Sequence, residues 1–245
     1  MSQETWREHW GVEYRGDLRN MDLQPIFRDL ELDGMLGETI LDIGSGYYPV
    51  SEYLSKNHRV VTIDIEGQEG EQQGHFHIRH DVELLTDEHR YTSQKAFVQM
   101  AQYFNIDIRG STKENVDTMI FSQLLNYVDF RKVLSVASTY LRPGGLFVIV
   151  NQPNFGYSDM FSEGGVKNNA ELLEEMLRNE FEIITKVFPW IKKGSEPIST
   201  SMMIVVGRKQ TETNINKKQV LSRKDRWRLA YTNLVVKKLA CRKYE

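Results

Sequence analysis

The chain has a single cysteine, Cys241, in 245 residues. An intrachain disulfide and a multi-cysteine zinc site are thereby excluded, and the thiol reads as an ordinary free one. No apolar run approaches the roughly 20 residues needed to cross a bilayer. The opening Met1-Ser-Gln-Glu-Thr-Trp-Arg-Glu8 lacks the apolar core of a secretion signal, so the expectation is a cytoplasmic protein without a membrane span. Strand alternation puts His75 and His77 on one face, but nothing nearby completes a ligand set with them, and no metal is expected. Net charge is also low, at -3, yet it is unevenly distributed. From Arg208 onward there are twelve Lys or Arg against three acids, leaving nineteen against thirty-one in the rest of the chain. The tail is a separate electrostatic object.

What is present centres on residues 38 to 54. Ile40, Leu41 and Ile43 form an apolar run suited to a central parallel strand covered on both faces. Gly44 and Gly46 follow at once. Two glycines one residue apart let the backbone turn sharply and approach a ligand closely. Pro49 suits the first turn of a helix expected over 50 to 57, whose start would present free N–H groups to the turn. A dinucleotide fingerprint places a third glycine where Pro49 stands, which argues against a nicotinamide cofactor. A second strand, 59 to 64, ends in Asp64, eighteen positions after Gly46. A carboxylate there can accept from both hydroxyls of a ribose. The cofactor therefore has a ribose and need not have a pyrophosphate.

Leu41-Asp-Ile-Gly-Ser-Gly46, Asp64, Asp81 after a third strand at 76 to 80, Phe121-Ser-Gln-Leu-Leu-Asn-Tyr127 after a fourth at 116 to 121, and Leu141-Arg-Pro-Gly-Gly-Leu146 entering a fifth stand in order. Together they resemble the motifs of class I S-adenosylmethionine-dependent methyltransferases over about residues 36 to 208. The resemblance implies a Rossmann-like α/β fold: a seven-stranded, mostly parallel sheet with an antiparallel last strand and helices on both faces. It implies S-adenosylmethionine as cofactor. The donor would contact backbone at Gly44, Ser45 and Gly46, ribose at Asp64, adenine near Ile65, Asp81 and Val82, and the methionyl end at Ser122 and Leu124. Asp42 would orient the turn or meet the donor's amino group through water. Residues 1 to 36 would be a helical lid. There Trp10 shares a helix face with Trp6 and Tyr14, and Tyr14 and Arg15 are candidates for the donor's carboxylate. Asp81 reads equally as a helix N-cap.

A core over 37 to 208 carries an insertion at about 88 to 110, whose stripe of Ala96, Phe97, Met100, Ala101 and Phe104 is helical. This is an added core helix, a dimer surface or part of the acceptor pocket, in a monomer or homodimer. A helix over 23 to 36 stops at Gly37, and Asp129 caps another that runs to Leu141. Asn151, Phe155, Tyr157 and Phe161, with Trp10 and Tyr127, are the candidate acceptor-binding residues, because the loop after the fifth strand leaves the sheet on the ligand side. Tyr127, Tyr157 and Asp159 are positional candidates for a base. The loop after strand four lacks the Asn-Pro-Pro-Tyr of base-methylating enzymes. A small-molecule acceptor is thus favoured and nucleic acid disfavoured. The alternatives are an RNA or protein acceptor held by the basic, amphipathic 209 to 245 tail, and a NAD(P)-dependent oxidoreductase.

Overall fold

The computed structural model describes residues 27–46, 52–72, 74–84, 90–105, 115–122, 124–151, 162–167, 169–179, 181–187, 203–211, 222–227 and 229–231. Among these residues eight strands make one sheet: β1 (Thr39–Ile43), β2 (Arg59–Asp64), β3 (Gly70–Gln72), β4 (His75–Arg79), β5 (Val116–Ser122), β6 (Leu141–Asn151), β7 (Phe181–Val187) and β8 (Met203–Lys209), in the order β3-β4-β2-β1-β5-β6-β8-β7. The run β4-β2-β1-β5-β6 is parallel, and β8 lies antiparallel between β6 and β7. The central strands are near-continuous apolar runs because each of their faces is covered.

One face carries α1 (Arg90–Phe104), α2 (Phe130–Tyr140) and α3 (Asn169–Arg178). They pack Met100, Phe104, Val133, Leu134, Leu172 and Met176 against Leu41, Ile43, Val61, Met119 and Phe147. Phe147 stacks on Phe121 at 4.8 Å between centroids, a contact worth about 0.5–1.5 kcal/mol beyond its buried area. The other face is covered by Phe27, Leu30, Leu36 and Leu54 over Ile40, Val60, Ile120 and Val148. Of the three roles open to the 88 to 110 segment, helix α1 fills that of a core helix, with Ala96, Met100 and Ala101 buried.

The structure departs from expectation at several places. The sheet has an eighth strand, because Gly70–Gln72, for which the sequence suggests no strand, turns back antiparallel on β4. Strand β4 begins one residue earlier than expected, at His75. The first described helix, 27–32, ends before Gly34, which takes φ 63° while the Met35 amide reaches the Leu30 carbonyl at 2.9 Å. Gly34, not Gly37, is the residue in the left-handed region that closes it. Gly37 serves packing, since a Cβ there would lie 2.2 Å from Cβ of Asp117. Within the stretch expected as a helix over 50 to 57, Glu52–Lys56 is a 3-10 turn. Strand β6 starts at Leu141 and carries Arg142 to Gly145 as a bulge, since Val116 pairs Leu141 and Thr118 pairs Leu146. In the tail, Leu229 is buried in the main core and Arg226 pairs with Glu174 of α3 at 3.1 Å. Trp227 of the same segment is 60% exposed.

Candidate functional site: the turn between β1 and the tip of β2

The chain leaves β1 at Ile43 and enters the left-handed region twice, at Gly44 (φ 70°) and Gly46 (φ 66°). The tip of β2 holds this turn. The Gly44 amide donates to the Ile63 carbonyl at 2.8 Å, and the Ser45 amide reaches the same oxygen at 3.4 Å. The Gly46 amide donates to Asp64 Oδ2 at 2.9 Å, and Asp64 Oδ1 accepts from the Glu66 amide at 3.0 Å. The two glycines differ in surroundings. A Cβ at Gly44 would collide with Leu124, whereas one at Gly46 would have nothing within 4 Å among the described residues. The first glycine therefore admits a neighbour, and the second keeps a cradle open that a side chain would fill.

Burial, above all, raises the Asp64 carboxyl pKa, and the two backbone donors oppose that shift. Two N–H bonds occupy about half of the roughly four acceptor positions of a carboxylate. One position on each oxygen remains for an outside donor. That fits a vicinal diol, and with the open side of Gly46 it fits a nucleoside.

Around this centre, the structure places the other expected residues as follows. Asp42 is fully buried in β1, in register with Thr62 and Ile120. Ser45 is buried within the turn. The Ile65 carbonyl accepts from Arg79 Nε at 3.1 Å. Asp81 Oδ1 accepts from the Glu83 amide at 2.9 Å, which caps the 3-10 turn Val82–Leu84, and Val82 itself is buried. The His80 amide donates to the Asp64 carbonyl at 2.8 Å, so Asp81 follows directly on a residue tied to Asp64. Ser122 ends β5 with a buried hydroxyl that has no hydrogen-bond partner among the described residues. Tyr127 closes a turn, its amide on the Leu124 carbonyl at 2.9 Å. Tyr14, Arg15, Trp10, Phe155, Tyr157, Asp159 and Phe161 lie outside the described residues.

Asn151, fully buried at the end of β6, donates from Nδ2 to Asn126 Oδ1 at 3.1 Å and to Asn169 Oδ1 at 2.8 Å. Its amide nitrogen thus ties the segment after β5 to the start of α3. Glu83 makes a second tie, accepting the Asp129 amide at 2.7 Å, while Asp129 caps α2 through the Lys132 amide at 3.3 Å. Sequence reasoning missed Asn126, Asn169 and Glu83 as supports. It also missed His77, whose ring pairs through Nδ1 with Thr62 Oγ1 at 2.8 Å and donates to the Glu66 carbonyl at 2.7 Å. Strand alternation put His77 on one face with His75, the one signal the sequence offered. Among the described residues no group of three His, Cys, Asp or Glu is placed to hold a metal, and no helix is long and apolar enough to cross a membrane.

No protein-family profile matches the chain, and no curated protein does. Solved structures do. The 1,6-didemethyltoxoflavin-N1-methyltransferase of Burkholderia thailandensis, solved with 1,6-didemethyltoxoflavin and S-adenosylhomocysteine, superposes with a TM-score of 0.52 at 15% identity, covering 85% of this chain and 84% of that one. The CurJ carbon methyltransferase gives 0.52 at 15% identity over 78% of this chain and 54% of that one. A SAM-dependent methyltransferase from Methanosarcina mazei gives 0.50 at 15% identity over 74% and 98%. With its parallel sheet closed by an inserted antiparallel strand and its glycine turn on the tip of β2, the chain has the fold of the class I S-adenosylmethionine-dependent methyltransferases.

Proposed function

We propose that the protein is an S-adenosylmethionine-dependent methyltransferase with a small-molecule acceptor. The observation that carries the reading is the pairing of the Gly46 amide with Asp64 at 2.9 Å, beside a glycine whose missing side chain leaves open space. The acceptor class takes its support from the toxoflavin N1-methyltransferase, a structural neighbour solved with its small-molecule ligand. It is also supported by the Ser122-Gln-Leu-Leu-Asn-Tyr127 that follows β5 in place of an Asn-Pro-Pro-Tyr motif.

When bound, the sulfonium donor supplies an electrophilic methyl group whose transfer is an in-line displacement. The protein's task is then orientation, which can supply roughly 7–11 kcal/mol. Asp64 would hold the ribose by its two remaining acceptor positions. Gly44 and Gly46 would let the backbone approach, and Leu124, resting on Gly44, would floor the methionyl end. Ser122 would offer its buried hydroxyl to that same end. Asp81 and Val82 would border the base. A general base is required only where the acceptor's proton must leave early, as from a hydroxyl or a carbon.

Calorimetric titration of S-adenosylmethionine into the wild type and Asp64→Ala tests the reading. Binding to the wild type with a marked loss in the variant is expected; equal affinity, or no binding to either, overturns it. A second reading, an RNA or protein acceptor, takes support from the exposed Arg223 and Lys224 beside the stacked Trp227 and Tyr231. It requires a steeply salt-dependent association that is lost when residues 210 to 245 are removed.

A further inference from the structure

We infer that His77 is a positioning residue for the nucleoside: it pins the loop after β2 and through that loop aims the Asp64 carboxylate. The inference rests on the donor reading above, and it assigns a role to a side chain that would not touch the ligand.

Asp64 is the last residue of β2, so the strand's own ladder does not fix its carboxylate. That task falls to the residues just after it. Glu66 gives its amide to Asp64 Oδ1 at 3.0 Å and its carbonyl to His77 Nε2 at 2.7 Å. A carbonyl only accepts, so Nε2 carries a proton and donates, while Nδ1 pairs with the Thr62 hydroxyl at 2.8 Å. Both ring nitrogens are engaged, and the ring is 4% exposed in β4, in register with Thr62. Gly67 lies flush on it: φ is 100°, and a Cβ there would sit 2.5 Å from Nε2. One hydrogen-bonded series therefore runs from Thr62 through His77, Glu66 and Asp64 to the Gly46 amide. Remove the ring's grip on Glu66 and the loop can shift, taking one of the two N–H groups that orient Asp64.

A purely structural His77 would affect stability without changing which part of the ligand is recognised. A positioning His77 governs recognition of the ribose. The full chain is titrated calorimetrically with S-adenosylhomocysteine and with its 2′-deoxyribose counterpart, for the wild type, His77→Gln, His77→Asn and Gly67→Ala, and thermal midpoints are recorded alongside. The wild type should prefer the ribose by roughly tenfold or more, as for a hydrogen bond to a charged group. His77→Gln, which can place an amide nitrogen near the Nε2 position, should keep that preference. His77→Asn, whose side chain ends at the Nδ1 position, should cut it to about twofold or less. Gly67→Ala, whose Cβ would push the loop off the ring from the loop side, should do the same and reads alone if His77→Asn does not fold. If His77→Asn and Gly67→Ala both keep the wild-type preference, the inference is overturned and the donor reading stands. If the wild type binds neither ligand, the donor reading falls and takes the inference with it.

Discussion

Leu124 occupies the space in which Gly44 would carry a side chain: an ideal Cβ there lies 2.6 to 2.9 Å from its Cδ1, Cδ2 and Cγ atoms. Gly44→Ala thus incurs two costs, about 1–2 kcal/mol for a left-handed backbone and about 1–3 kcal/mol for displacing the leucine. Gly46→Ala incurs only the first, because its Cβ meets nothing within 4 Å among the described residues. Urea unfolding should therefore rank Gly44→Ala as the more destabilised, with Leu124→Ala in the same chain restoring part of the difference. Equal losses at the two glycines would contradict this packing.

Asp64 should cost stability at neutral pH. Burial raises its folded pKa above the unfolded one, so between the two values the native state holds more protons, and stability falls as pH rises through that window. Asp64→Asn cannot titrate there. Its stability relative to the wild type should therefore improve from acid to neutral pH, while its affinity for the donor drops. Parallel stability profiles for the two proteins would refute the assignment.

Asp117 works in the opposite sense, at the other end of the sheet. Burial pushes its pKa up, but the Thr39 amide at 2.8 Å, the Thr39 hydroxyl at 2.9 Å and the Arg142 guanidinium outweigh it, and the net pKa is lowered. The stabilisation is present above the unfolded carboxyl's pKa and is lost as pH falls through the lower, folded value. Asp117→Ala should cost about 1–3 kcal/mol near neutral pH, less in acid, and leave donor affinity unchanged. A loss of donor affinity would show that the two ends of the sheet are coupled.

Asn151→Ala breaks two buried hydrogen bonds, to Asn126 and to Asn169. A loss of about 1–3 kcal/mol for each partner left unsatisfied is expected in denaturant unfolding. An unchanged midpoint would mean that the three asparagines do not act together.

The central strands were legible because burial on both faces writes itself as runs such as Ile40-Leu41 and Val60-Val61. The glycine turn and Asp64 were legible because the conformation demands those residue types. Gly70–Gln72 was not, since a three-residue edge strand of glycine and polar residues has no apolar pattern; only its pairing with β4 defines it. Gly34 and Gly37 both qualify as helix stops by type, and the backbone chose the one with room. At His77 the face it shares with His75 was readable. Its partners were not, because Thr62 is fifteen residues away and Glu66 contributes only a carbonyl.

The place of β8 in the sheet has a consequence for how the chain is made. Strands β1 to β6 can join as they emerge from the ribosome, but the outer edge of β6 stays unpaired until Met203–Lys209 has been synthesised. Until then β7 has no strand to pair with among the described residues. A nascent polypeptide halted between Val187 and Met203 would present a bare, apolar strand edge to other chains, the kind of surface that chaperones shield.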